Sequence, residues 1–387
     1  MSSTYVPCSA IVGVAESPLG ALSGQHALRM MGGATVDALI EAGLGLDDVD
    51  CLMVAGFPSG QPSCELADYL GIEPRFVSST EIGGSSFEFF IGQADLAIAS
   101  GQCDTVAIAY ANTRKQDRGR PLGFNELPFL FRQNYERPTG LIPLIGSYAL
   151  AADRHMHEFG TTSAQLAEIA VAARKWAQLN PKAYRHEPLT VEDVLSSPMV
   201  ASPLHARDCC LITDGGGAVI VTRLDRARDL AKRPVSVLGF GQQVKYQEIS
   251  LARDVVRTGA IESGRRAFEM AGLTTDDVDV TQIYDSFTIT VLLGLEDLGF
   301  CAKGEGGAFV EGGRIAPGGA FPLNTSGGGL SYTHPGHFGI FLLIEAVRQL
   351  RGETGERQVE GAEVAVAQGF GGVLSTSATV LLGRDIR

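Results

Sequence analysis

The chain has 387 residues, 45% of them hydrophobic and 19% charged, which excludes a disordered chain and allows one large core or two domain-sized ones. A net charge of −13 and a pI near 5.0 argue against a nucleic-acid binder, although a local basic patch could still hold a phosphorylated ligand.

In chain order, SAIVGVAESP reads as a strand and HALRMMGGATVDALIEAGL as a helix, with apolar residues at helical spacing and Gly43 standing where the helix would stop. The turn AGLGLDDVD, Ala42 to Asp50, leads into a second strand, CLMVAGF. STEIGGSSFEFF follows a further strand; its FEFF suits an interface helix or the core equally well. From about Thr113 to His205 the pattern changes, first to the aperiodic TRKQDRGRPLGFNELPFLFRQNYERP and then to helical YALAADRHMHEFG and SAQLAEIAVAARKWAQL, as expected of an insertion. CCLITDGGGAVIVTRLDRA predicts two short strands around a glycine turn.

The order then repeats. VSVLGFGQQV reads as a strand, TGAIESGRRAFEMAGL as a helix and TQIYDSF as the next strand, joined by AGLTTDDVD at Ala271 to Asp279. That turn matches the first at seven of nine letters. Such a turn alone is a common way to leave a helix, but the same elements flank both copies, which predicts a duplicated α/β fold. The expected division is 1–230, including the insertion at about 113–205, and 231–387.

Three glycine-rich stretches carry the candidate binding residues: Gly83 and Gly84 in STEIGGSSFEFF; Asn324, Gly327 and Gly328 in NTSGGGLSYTHPGHFG; Gly371 in AVAQGFGGVLS. Glycine lets backbone N–H groups approach a ligand, and a helix starting there adds its positive end. None completes a phosphate loop or a dinucleotide fingerprint.

With these segments in this order, the sequence resembles the thiolase superfamily over essentially its whole length. NTSGGGLSYTHPGHFG is similar to the thiolase Asn-Pro-x-Gly-Gly and Gly-His-Pro segment and puts His334 on the family's catalytic histidine. QIYDSF takes the place of Asn-Glu-Ala-Phe, or of His-Asp-Cys-Phe in sterol-carrier-protein-type thiolases, and AVAQGFGGVLS that of the last strand loop. The insertion matches the loop domain that covers coenzyme A. The resemblance implies two duplicated βαβ-rich halves packed as a five-layer α-β-α-β-α sandwich.

Two departures bear on chemistry. The family's nucleophilic cysteine, at a helix N-terminus that lowers its pKa, falls here on Gly84 or Ser85. The second cysteine, expected just before Gly369, is replaced by Val366, Ala367 and Gln368. Acyl transfer through a cysteinyl thioester is therefore not expected. Ser85 is the remaining nucleophile candidate, with an N-cap as its plainer role. What survives is the family's enolate stabilisation, by Tyr284 acting with the histidine.

Enolate chemistry without an acyl-enzyme is aldol chemistry, and Tyr284-Asp285-Ser286-Phe287 resembles the Tyr-Asp-x-Phe segment of thiolase-like steroid side-chain aldolases. Those aldolases place a second tyrosine where this chain has His334; Tyr332 lies two positions away. The resemblance implies retro-aldol cleavage of a β-hydroxyacyl-CoA, with His334, or Tyr284 at a lowered pKa, as base; a near-neutral histidine suits that role better. The alternatives are an acyltransferase using Ser85 and a non-catalytic acyl-CoA or lipid binder.

Asp285 either orients a neighbour or ties down its loop through backbone N–H groups, and His337 either packs and caps or takes part in catalysis. Lys115, Arg118 and Arg120 are candidates for the coenzyme A phosphates. His205 and Asp208 read as strand-junction residues, and Cys209 and Cys210 as buried strand residues. His155 and His157 share no helix face, so no metal site is expected. No cofactor is expected beyond the coenzyme A thioester substrate. The resemblance implies a homodimer and a small OB-fold, zinc-ribbon partner protein. Seven cysteines without a CxxC pair, no signal-like start and no apolar run near 18 residues suit a reducing cytoplasm and no membrane.

Overall fold

Both copies of the repeated turn act through the same bonds. Helix α1 (Ala27–Ala42) ends at Gly43, φ 76°, and α8 (Ala260–Ala271) at Gly272, φ 68°. In the first copy Asp48 accepts a bond from the Gly45 N–H, while Asp50 binds the N–H groups of Asp104 and Thr105, at the start of the strand Thr105–Asn112. In the second copy Asp277 accepts from the Thr274 N–H, while Asp279 binds those of Glu363 and Val364, at the start of the strand Val364–Gly371. One aspartate shapes the turn and the other anchors the neighbouring strand, so each half needs both.

The computed structural model describes residues 5–56, 60–117, 131–141 and 144–384. The first half contains β1 (Ser9–Glu16), α1, β2 (Cys51–Val54), α2 (Pro62–Leu70), β3 (Phe76–Ser79), α3 (Ser86–Ala99) and β4 (Thr105–Asn112). The insertion holds α4 (Ile145–Phe159), α5 (Ser163–Gln178), α6 (Val191–Leu195) and a hairpin of β5 (Met199–Ala201) and β6 (Leu204–His205). After it come β7 (Gly215–Arg223) and α7 (Leu224–Ala227). The second half runs β8 (Val235–Val244), α8, β9 (Val280–Ile283), α9 (Thr288–Leu298), α10 (Gly306–Val310), α11 (Gly339–Arg351), β10 (Val364–Gly371) and β11 (Thr376–Arg384).

The strand order is β3-β2-β4-β7-β1-β8-β11-β10-β9. In the first half β2 runs parallel to β3 and β4, in the second β9 runs parallel to β10, and the remaining pairs are antiparallel. The halves join edge to edge through Ala10–Ser236 and Ile11–Val235. Where the first half has β3, the second has a single parallel bridge between Thr281 and Leu323.

Strand residues alternate between two cores, Ile11, Val106 and Ile108 facing one and Ala10, Val12 and Ala107 the other, so the strands are buried on both faces. Helix α1 covers the outer face of β1, β4 and β7, and α8 that of β8 and β11; α3 and α11 lie between, each touching strands of both halves. This is the thiolase-like five-layer α-β-α-β-α sandwich. The outer helices sit close because each half presents a strand glycine to its helix: a Cβ on Gly13 would lie 2.0 Å from the Ala38 carbonyl oxygen, and one on Gly239 would lie 2.3 Å from that of Ala267.

CCLITDGGG does not form two strands about a glycine turn. Gly215 opens the single strand β7, and Gly216 packs where a Cβ would fall 2.1 Å from the Tyr110 carbonyl oxygen on β4. Cys209 and Cys210 consequently lie in a loop, half-buried, not in a strand. In FEFF, Phe87 and Phe90 are fully buried core residues.

Candidate active site

Two loops and one helix start converge at the centre of the sandwich. Tyr284 follows β9 and extends its pairing with β10, its N–H donating to the Gln368 carbonyl at 2.9 Å. Its hydroxyl lies 3.0 Å from His334 Nε2, accepts the Phe338 N–H at 3.1 Å, and is 3.4 Å from the Gly336 carbonyl. Phe338 is the N-cap of α11, so the positive end of that helix is directed at the Tyr284 oxygen. The ring needs Gly84 beside it, since a Cβ there would sit 2.0 Å from Tyr284 Cε2.

Tyr284 is 4% exposed, and burial raises its pKa well above the ordinary phenol value, against the Phe338 N–H. Tyr284 with a lowered pKa is thus overturned: the group is a protonated donor. The pKa of His334 is not near neutral pH either: burial, with His337 adding to it, pushes it down to about 3. Both partners are neutral. Either the phenol donates to Nε2, or Nε2–H donates to a phenol that bonds Gly336.

Thr213 holds the backbone of His334 at both ends, its hydroxyl accepting the His334 N–H at 2.9 Å and its own N–H donating to the His334 carbonyl at 3.3 Å. The same loop bonds Ser286 through the Cys210 N–H and Gly329 through the Leu211 N–H. It laces the tyrosine loop to the histidine loop. Sequence reasoning missed this role because a threonine near a strand start carries no distinguishing signal.

Asp285 is fully buried and accepts the N–H groups of Gly329 at 2.7 Å and Leu330 at 3.1 Å. Burial raises its pKa to about 7 against those bonds. Gly328, φ 61°, makes room for it: a Cβ there would lie 2.0 Å from Asp285 Oδ2. Asn324 pairs its side-chain amide with both backbone groups of Ile283, finishing the free edge of β9. Gly327 packs on Ala177 of α5, and Gly83 and Gly371 pack against Gly372 and Ile82, so these glycines serve contacts between chain segments.

The other candidates make their bonds elsewhere. The Ser85 hydroxyl is fully buried, donating to the Ile82 carbonyl at 2.9 Å and sharing a 2.7 Å bond with Thr376; its side chain makes no cap bond. Tyr332 turns the other way, its hydroxyl bonding Glu16 and its ring meeting Phe341. His337 stacks on Tyr110 at 5.4 Å with Nε2 3.4 Å from Glu81, and burial lowers its pKa. Lys115 donates to the Tyr184 hydroxyl at 2.8 Å; Arg118 and Arg120 lie outside the described residues.

Asp208 accepts the His205 N–H and the Thr288 hydroxyl. His155 is buried between Thr161 and Glu296, tying α4 to α9, while His157 is exposed. Among the described residues no group of three or more His, Cys, Asp or Glu side chains is placed to hold a metal ion, and no helix is long and apolar enough to cross a membrane.

Residues 241–384 match the family model of the thiolase C-terminal domain-like group. The chain is 36% identical to an acetyl-CoA acetyltransferase of Methanothermobacter thermautotrophicus, over 97% of this chain and 99% of that one. It is also 36% identical to the 17-hydroxy-3-oxo-4-pregnene-20-carboxyl-CoA lyase of Mycobacterium tuberculosis, over 96% and 98%. Among solved structures it is similar to the Ltp2-ChsH2(DUF35) aldolase, with a TM-score of 0.90, 31% identity and coverage of 98% and 99%.

Proposed function

This chain belongs to the thiolase superfamily, and we propose that it breaks a carbon–carbon bond in a β-hydroxyacyl-CoA by a retro-aldol reaction without a covalent acyl-enzyme. The observation that carries this reading is the contact between Gly84 and Tyr284: the space that a side chain at position 84, one of the two places where the family's nucleophile would fall, would need is filled by a phenol aimed at His334 and the start of α11.

In this mechanism the β-hydroxyl gives its proton to His334 Nε2, its O–H electrons form the new carbonyl, and the Cα–Cβ pair moves into the thioester enolate. The Tyr284 hydroxyl donates to the enolate oxygen, and the proton held on His334 then passes to Cα, giving the shortened acyl-CoA and restoring the neutral imidazole. A histidine with a folded pKa near 3 is a weak base before substrate binds. An enolate forming beside it raises its proton affinity, so proton transfer is favoured together with bond breaking.

The resemblance to a named lyase and a named aldolase supports this choice. Acyl transfer has the acetyltransferase relative in its favour but requires Ser85, whose hydroxyl is taken up by Ile82 and Thr376. A homodimer and a small OB-fold, zinc-ribbon partner belong to the same proposal, the latter supported by the DUF35 component in the aldolase complex's name.

The test is incubation of the purified protein, with and without such a partner, with panels of β-hydroxyacyl-CoA and β-ketoacyl-CoA esters, followed by mass spectrometry. A carbonyl product plus a shortened acyl-CoA, formed without added coenzyme A, is expected. Cleavage of β-ketoacyl esters only, and only with coenzyme A, would overturn it.

A further inference from the structure

Glu88 is a buried acid that the mechanism above does not use. It lies in the first turn of α3, is 1% exposed, and neither of its carboxyl oxygens has a hydrogen-bond partner. Leaving an unpaired carboxylate in such a place is costly, whereas an apolar side chain of similar size would fit without that penalty.

Two glycines make room for it. A Cβ on Gly369 of β10 would lie 2.2 Å from Glu88 Oε2, and one on Gly339 of α11 would lie 2.6 Å from the same oxygen. These two glycines directly follow the residues whose backbone groups hold Tyr284. The Gln368 carbonyl takes the Tyr284 N–H, and the Phe338 N–H binds the Tyr284 hydroxyl. Gly84, which the Tyr284 ring packs against, also touches Gly339 through its carbonyl, 2.1 Å from the same Cβ position.

We propose that Glu88 is a positioning residue for Tyr284: as a neutral acid it fills the cradle between Gly339 and Gly369 and leaves the positive end of α11 directed at the Tyr284 oxygen. As a carboxylate it competes for that positive end and puts a negative charge behind the site where the enolate forms. Burial, opposed by its own backbone, raises its pKa to about 8, so the neutral form prevails at pH 7 and is lost on the alkaline side. The titratable groups on the surrounding segments are Tyr284 beyond Gly84, His334 and His337 ahead of α11, Glu81 ahead of α3, and Tyr110 on β4, whose ring meets Phe87. β10 and β11 bring the non-titrating Gln368 and Thr376. None of these bonds the carboxyl.

The inference rests on the Tyr284-centred reading of function, and its main test needs no substrate. The protein is labelled with carbon-13 at the tyrosine Cζ, and the Tyr284 resonance is assigned by its loss in Tyr284→Phe. That resonance is expected to move with pH through the weakly alkaline range in the natural protein and to stay still in Glu88→Gln. If Glu88→Gln does not fold, Glu88→Leu serves in its place. A Tyr284 signal that never moves, or that moves alike in the natural protein and the variant, overturns the proposal. With a substrate found as above, kcat is expected to fall on the alkaline side at unchanged KM in the natural protein, and the variant to lose that fall. Failure to find a substrate counts against the proposed reaction and leaves the resonance test decisive for Glu88.

Discussion

Tyr284 occupies the space that the side chain of residue 84 would need: a Cβ on Gly84 would lie 2.0 Å from Cε2 and 2.5 Å from Cζ of its ring. A cysteine in place of this glycine and the phenol in this position exclude each other. Glycine at position 84 and the phenol of Tyr284 in this position therefore belong together.

Gly84→Cys should accordingly fail to restore a thiolase. The added side chain overpacks the site, which typically costs about 1–3 kcal/mol, and displaces Tyr284 from His334 and Phe338. Thermal melting should show the lower stability, carbon–carbon cleavage should fall, and mass spectrometry should find no acyl-enzyme. A stable variant that accumulates an acyl group on the introduced thiol would contradict the exclusion.

Tyr284→Phe keeps the ring against Gly84 and removes only the hydroxyl. Loss of one donor to a developing oxyanion lowers kcat by about 100- to 1000-fold, while KM should change little because the ring still packs against Gly84. The fold should lose only about 1 kcal/mol for the missing hydrogen bonds. Steady-state kinetics beside urea denaturation separates the two effects; a drop in stability as large as the drop in transition-state stabilisation would make the role structural.

Ser85→Ala separates the aldolase reading from acyl transfer. Its hydroxyl joins the start of α3 to Thr376 on β11, so its removal should cost about 1 kcal/mol of stability and leave the rate within a few-fold. A loss of kcat by several orders of magnitude in a folded variant would return Ser85 to the chemistry.

The duplicated architecture was legible because its signals are local and occur twice: Gly43 and Gly272 end helices, and Asp50 and Asp279 each anchor a strand start. Tyr284 and His334 were legible through their motifs. The roles of the glycines were not, because a residue without a Cβ looks the same in sequence whether a ligand or another chain segment comes close; Gly83 and Gly371 meet backbone. Tyr332 and His334 are two positions apart, yet one hydroxyl turns to Glu16 and the other side chain to Tyr284, a divergence set by the helical turn at Gly328–Tyr332. Glu88 passed unnoticed because an acid in a helix's first turn is ordinary, and only tertiary packing shows that it is unpartnered.

The depressed proton affinity of His334 makes stability depend on pH in a definite direction. Its folded pKa of about 3 lies below the roughly 6.5 of an unfolded histidine, so the unfolded chain binds the proton first as pH falls. The stabilisation from a neutral imidazole is fully present above about pH 6.5 and lost progressively below it, about 2 kcal/mol by pH 5. His334→Asn has no group to protonate there. Urea denaturation at pH 7, 6 and 5 should show the natural protein losing about 2 kcal/mol more than the variant across this range. Because His337 is present in both proteins, its own depressed pKa largely cancels in the comparison. Parallel curves would mean that His334 takes up its proton as readily in the folded protein as in the unfolded chain, and Tyr284 would then face an imidazolium at mildly acidic pH.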